Sequence, residues 1–155
     1  MGAGARSAGR GVRRDGALAR GIAHLEGGRR EAARGEFSKA ARDNPESARP
    51  HIFLARMARE ERDYQTARRE LDAAIRLEPN NPVAHREMGA LLFTMGNYDL
   101  ARSFYIRALR GDATDRTSMG YLGCSLARLG RHFSGIGEEH FHALFKLMTM
   151  SAVMV

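Results

Sequence analysis

The chain has 155 residues, with 25 lysines and arginines against 18 acids, a formal net charge of +7, one cysteine and no tryptophan. That length suits one domain, and the lone Cys124 excludes an internal disulfide. The charge is not a nucleic-acid signature. Arg6, Arg10, Arg13 and Arg14 supply four of the charges, and residues 15–155 hold 21 bases against 18 acids with the signs interspersed. Few aromatic rings lie among the arginines to stack bases, so no nucleic-acid partner is expected.

Residues 1–13 are rich in Gly, Ala and Arg and carry no acid. They read as a disordered basic tail, without the apolar stretch of a signal peptide. A transit peptide is the alternative, and the glycines argue against its amphipathic helix. From residue 14 the chain repeats itself every 34 residues. Ala33, Ala67 and Ala101 share one position, and Ala40, Ala74 and Ala108 another. Gly21, Ala55, Gly89 and Gly123 form a small-residue series, and Phe37, Leu71 and Tyr105 a bulky one. Gly28, Arg62, Gly96 and Gly130 also match, as do Tyr64 with Tyr98 and His51 with His85. Pro45 and Pro79 close the first two units. The units are residues 14–47, 48–81 and 82–115, with a partial fourth over 116–149. Self-similarity at this period predicts a stack of like units in place of one closed core.

Each unit reads as two helices. Leu54 and Ala58 lead to a break at Arg62-Asp63, after which Ala67, Leu71, Ala74 and Ile75 share a face. Asn81-Pro82 starts the next helix, with Asn as cap and Pro in the first turn. Met88, Leu91, Leu92 and Met95 follow at helical spacing until Gly96-Asn97. A second helix then places Ala101, Phe104, Tyr105, Ala108 and Leu109 on one side. No window alternates at period two for long enough to predict a strand.

These residues resemble the tetratricopeptide repeat (TPR), whose pattern has an aromatic, a Leu-Gly pair, a Tyr, then Ala, Phe and Pro at fixed offsets. Met88-Gly89, Leu92, Gly96, Tyr98, Ala101, Tyr105 and Ala108 carry the resemblance best. Leu54-Ala55, Tyr64, Ala67, Leu71, Ala74 and Pro79 carry it in the second unit, and Gly21, Gly28, Ala33, Phe37, Ala40 and Pro45 in the first. His51 and His85 stand where the leading aromatic is usual. The resemblance implies an all-α, right-handed α-solenoid of helix-turn-helix units across residues 14–131, acting as a non-catalytic protein-protein interaction scaffold or adaptor.

It also implies that the first helix of each unit lines a concave groove. Spacing of three and four then places Leu18 and Ile22, with Leu25, on the groove stripe of the first unit. The second contributes Arg49, Ile52, Arg56, Arg59 and Glu60. Val83, Arg86, Ala90 and Phe93 follow in the third, and Gly120, Cys124, Ala127 and Arg128 in the fourth. Arginines in a partly desolvated channel favour carboxylates, which a guanidinium grips bidentately. The expected partner is a peptide or protein segment bearing acids. The competing reading has these arginines solvated or paired with local acids such as Glu60 and Glu87. Leu18 and Ile22 occupy the stripe where some TPR adaptors carry a clamp for a terminal carboxylate, so that clamp is not expected.

No phosphate loop, nucleophile elbow or His-Glu-x-x-His pair occurs, and no catalytic residue, cofactor or metal is expected. Glu138, Glu139, His140 and His142 form a local cluster, but His140 and His142 would diverge by about 200° on a helix. Cys124 reads as a small groove residue in preference to a reactive thiol. After Gly130 the register fails: Gly135 and Glu139 fall where an alanine and an aromatic are due, and an apolar run, Phe141 to Val155, ends the chain.

Residues 132–155 therefore read as a divergent cap over the last unit, as a self-association or membrane-surface segment, or as an altered gene end. At 15 residues with Lys146 inside, the run is too short to span a bilayer. The alternative function is that of a regulatory or targeting subunit of a larger enzyme or secretion assembly, acting through this tail. The expected location is cytoplasmic, with membrane association through the tail as the alternative.

Overall fold

The computed structural model describes residues 16–132. Their regular structure is entirely helical: α1 (Gly16–Glu26), α2 (Arg30–Asp43), α3 (Arg49–Glu60), α4 (Tyr64–Leu77), α5 (Pro82–Thr94), α6 (Tyr98–Gly111) and α7 (Arg116–His132). No strand occurs among the described residues. The contacts divide the chain into two compact units, residues up to Pro79 and residues from Asn80.

The turns inside the helical pairs explain part of the period. Gly28 and Gly96 take positive φ (73° and 80°), and Arg62, at the same repeat position, is held at φ 65°. In each turn the next residue's N–H reaches back five residues: Arg29 to the His24 carbonyl, Asp63 to Ala58 and Asn97 to Leu92, all at 2.9 Å. This left-handed stop satisfies carbonyls the helix would otherwise orphan. A side chain there costs about 1–2 kcal/mol relative to glycine. Arg62→Gly should therefore raise the stability of the first unit by about 1 kcal/mol, read as a higher denaturation midpoint.

Helix starts use short polar side chains. The Asn81 carbonyl oxygen accepts from the backbone N–H groups of Val83 (2.9 Å) and Ala84 (3.1 Å). Asp63 accepts from the N–H of Thr66 at 3.1 Å, and Asp115 from that of Thr117 at 3.1 Å. Each satisfies donors that the first turn leaves unpaired.

In the first unit α1 packs on α2, α2 on α3, and α3 on α4. Its core joins Ala17, Leu18, Ala33, Phe37, Ala40 and Met57, with Ile22, Leu25, Phe53 and Leu54 against it. The Phe37 ring fills a notch at Gly21, where an added Cβ would lie 2.6 Å from the ring. Phe53 of α3 stacks on the same ring, with centroids 4.7 Å apart and planes 7° from parallel.

In the second unit α5 packs on α6, and α7 packs on α6 and more lightly on α5. The same device recurs. A Cβ at Gly89 would lie 2.9 Å from the ring of Tyr105, and Tyr105 stacks on Tyr121 of α7 at 5.6 Å and 9°. Repeat position thus dictates the packing: a small residue on a first helix, a ring on the second helix, and a ring from the following first helix.

Candidate functional site

Where the helices place the expected site residues separates them into three groups. Leu18 and Ile52 are core. They are 5% and 4% exposed, and Leu18 belongs to the cluster around Phe37 and Met57. This corrects the expectation that both line an open stripe. Their apolar side chains are covered by packing that helical spacing alone does not show. Ile22 is half-buried against the same cluster.

The second group is arginine. Arg49 is exposed in the first turn of α3, while Arg56 and Arg59 are half-buried further along it. The Arg56 guanidinium lies over the Phe53 ring, 5.6 Å from its centroid, a cation–π contact that fixes its direction. Glu60, the acid closest in sequence, is held by Arg30 of α2 at 2.8 Å. Arg86 falls in the second unit and is engaged there. Its guanidinium is 3.3 Å from Asp115 and 3.8 Å from Glu87. The pairing with Glu87 matches the competing reading of the sequence, and Asp115 adds a partner the sequence did not suggest.

The third group is aromatic and belongs to the second unit. Half-buried Phe93 meets Tyr98 edge-on at 5.1 Å and Tyr121 edge-on at 5.5 Å. Arg128 of α7 lies over the Tyr98 ring at 5.8 Å. Ala90 is half-buried one turn before Phe93, and Cys124 is exposed one turn before Arg128. The rings of Phe53 and Tyr121 carry no mark in the repeat motif, whereas Tyr98 stands in that motif and not on the expected stripe. The period offered the signal, because Phe53 and Tyr121 are two repeats apart.

Glu87 occupies the intervening repeat of that same position and is only 6% exposed. The histidines likewise share one slot with different neighbours. His51 Nδ1 is 2.7 Å from Glu70, whereas buried His85 packs near Phe104, the residue one repeat after Glu70, at 5.9 Å between centroids. Among the described residues no three His, Cys, Asp or Glu side chains gather to hold a metal ion. The cluster Glu138, Glu139, His140 and His142 lies outside the described residues.

Ion pairs fasten α2 to the C-terminal end of α3. Arg34 donates to both oxygens of Glu61, at 2.6 and 2.7 Å, and Arg30 reaches Glu60 and Glu61. The Arg34 hydrogen bond holds the Glu61 carboxyl below its ordinary range. At Asp115 burial favours the neutral acid, but the Ser118 hydroxyl and the Arg86 guanidinium outweigh it and lower its pKa. A depressed carboxyl pKa adds stability that is complete above the ordinary value and lost as pH falls through the folded one. Stability should therefore drop as pH falls below about 4.5, the ordinary Glu value. Asp115→Asn should remove part of that drop in acid-unfolding curves. Because the Glu61 pair is half-exposed, its part should shrink in high salt.

No helix among the described residues is long and apolar enough to cross a membrane. Two profiles of the tetratricopeptide repeat match residues 18–82 and 58–120. No curated protein matches the chain in sequence. Among solved structures, the chain is similar to Pseudomonas aeruginosa PilF at 24% identity and TM-score 0.72, covering 79% of this chain and 56% of that one. It thus spans little more than half of that protein.

The first TPR domain of human RPAP3 is similar at 17% identity and TM-score 0.71, covering 79% of this chain and 99% of the domain. The second TPR domain of human RPAP3, solved in complex with the HSP70 peptide SGPTIEEVD, matches at 16% identity and TM-score 0.66, with 75% and 97% covered. At these identities the likeness speaks for the fold. Both profiles, the helical pairs and the repeated ring-in-notch packing agree: the chain belongs to the tetratricopeptide repeat family.

Proposed function

We propose that the chain is a non-catalytic protein-interaction module that takes an acid-bearing peptide or protein segment along the α3 face of its first unit. The observation that carries this reading is the arginine row of α3. Arg49, Arg56 and Arg59 recur at offsets of seven and ten residues, which on a helix gather them toward one side. The Arg56 guanidinium lies over the Phe53 ring. Guanidinium forks in a half-buried setting favour carboxylates, and the ring beneath adds an apolar floor.

The fold supports the reading from outside: the related human RPAP3 domain binds a peptide, SGPTIEEVD, that is itself rich in acids. The aromatic face of the second unit, Phe93 and Tyr121 with Arg128, is a second surface of the same kind. Taken by itself it suits an apolar anchor better than a run of acids.

The test is affinity for a panel of acid-rich peptides and their Glu→Gln, Asp→Asn counterparts, measured by fluorescence anisotropy. The wild type should prefer the acidic forms at least tenfold, and raising the salt should erode that preference. Arg49→Glu/Arg56→Glu should abolish it without changing the helical circular dichroism. Equal binding of acidic and neutral forms would reject the acid-recognition reading.

A further inference from the structure

On α7 the residues Tyr121, Cys124 and Arg128 are spaced by three and four, which puts them on one side of the helix. All three are exposed, Tyr121 by 41%. Tyr121 stacks on fully buried Tyr105 and meets Phe93 of α5 edge-on, yet much of its ring stays in contact with solvent. Arg128 lies over the ring of Tyr98, which itself meets Phe93 edge-on. The contacts run as one chain through Tyr121, Phe93, Tyr98 and Arg128, with an exposed ring at one end and an exposed guanidinium at the other.

The period does not require that guanidinium. The position of Arg128 holds Glu60 and Thr94 in the two repeats before it. Among the described residues no acid pairs with Arg128. The acids between residues 80 and 132 are engaged elsewhere. Glu87 is buried and, like Asp115, pairs with Arg86; Asp99 is held by Arg102 at 2.8 Å, and Asp112 accepts from the Thr114 hydroxyl at 2.7 Å. Lying over a ring occupies the face of a guanidinium and leaves the N–H donors in its plane able to grip a carboxylate.

Spacing then defines the ligand. Tyr121 and Arg128 are two turns apart, about 10 Å along α7. An extended chain rises about 3.3 Å per residue, so three residues cover that distance. An aromatic side chain packs on an exposed ring in offset or edge geometry. We infer that the surface of Phe93, Tyr98, Tyr121 and Arg128 takes an extended peptide segment whose aromatic side chain packs on Tyr121 and whose carboxylate, three residues along, pairs with Arg128. Of the α3 proposal it keeps only the reading of the chain as an interaction module. The α3 row asks for acids; this surface asks for one acid at a fixed distance from a ring.

The experiment titrates short peptides into the isotope-labelled full chain and takes affinities from the Phe93 and Tyr121 amide shifts. The parent is Gly-Phe-Ser-Ser-Glu-Gly, acetylated and amidated so that Glu carries its only carboxylate. Three companions replace Glu by Gln, replace Phe by Ala, or move Glu next to Phe. The parent should bind at least fivefold more tightly than each of them. Arg128→Gln should lose that factor for the Glu peptide and nothing further for the Gln peptide. Arg107→Gln is the control, because Arg107 also lies over a ring, that of Phe104 at 5.2 Å. It should bind the parent as wild type does, and so should Arg49→Glu/Arg56→Glu.

Equal losses for the Glu and Gln peptides in Arg128→Gln would overturn the inference, as would equal binding of the two Phe-Glu spacings or no binding at Tyr121 at all. Should Arg128→Gln not fold, the companion peptides decide on the wild type alone. A wild-type dimer by light scattering that Arg128→Gln dissolves would overturn it in favour of a second copy. Parent binding lost in Arg49→Glu/Arg56→Glu and kept in Arg128→Gln would overturn it and leave the α3 proposal standing. Coupling to Arg128 with no acid preference at α3 would support this surface and reject that proposal alone.

Discussion

Replacing Phe37 with alanine should cost about 3–5 kcal/mol of unfolding free energy, the range for emptying a fully packed aromatic site. Phe37 is 0% exposed, plugs the notch at Gly21 and stacks on Phe53, so three helices lose contacts at once. Neither neighbour can collapse into the space easily. Gly21 has no side chain to offer, and Phe53 is already stacked on the site and carries Arg56 over its ring. Urea denaturation should show a lower midpoint, and the Arg56 contact should loosen with it. The sister residue Tyr105 predicts a similar loss in the second unit, where it lies between Gly89 and Tyr121. A cost below about 1.5 kcal/mol at both sites would mean that the ring-in-notch packing is not what holds the helical pairs.

Filling the notch from the other side should also destabilise. Gly21→Ala puts a Cβ 2.6 Å from a ring that cannot move without disturbing the Phe53 stack. Overpacking of this kind costs about 1–3 kcal/mol, while removing a helical glycine returns up to about 1 kcal/mol. The clash should win, leaving a net loss of about 1–2 kcal/mol. Gly35 in the middle of α2 gives the opposite sign. It is exposed, and a Cβ there would meet nothing within 4 Å. Gly35→Ala should therefore stabilise by about 0.5–1 kcal/mol. Two glycine-to-alanine changes of opposite sign, measured by the same denaturation curve, separate backbone propensity from packing. The native sequence makes the same distinction at Ala55, where the second helix carries Leu71 in place of a ring.

The helices, their turns and the residues that mark close approach were legible because each is a local or periodic property. A glycine at positive φ, a capping Asn and a small residue under a ring leave the same trace every repeat. What escaped was cover and pairing. Helical spacing groups Leu18, Ile22, Arg49, Ile52 and Arg56 by side, but it does not say which of them another helix closes over. Leu18 and Ile52 were closed over, and the arginines were not fully so.

Spacing alone leaves Arg86 on the groove stripe, because its partner Asp115 lies 29 residues away, at no repeat offset from it. Arg34 and Glu61, 27 residues apart, escaped for the same reason. The period also links Phe53 and Tyr121, two repeats apart. Both dock on the preceding pair, and buried Glu87 fills that position in the repeat between them.

The proposal that the α3 arginine row is the recognition surface makes a residue-level prediction. Chemical-shift mapping tests it most directly: an acid-rich peptide is titrated into the isotope-labelled full chain, and the perturbed backbone amides and arginine side chains are assigned. The largest changes should fall on Arg49–Arg59 of α3, include the Arg56 side chain over Phe53, and vanish with the Glu→Gln, Asp→Asn peptide. Changes confined to α2, α4 or α6, with α3 silent, would contradict it.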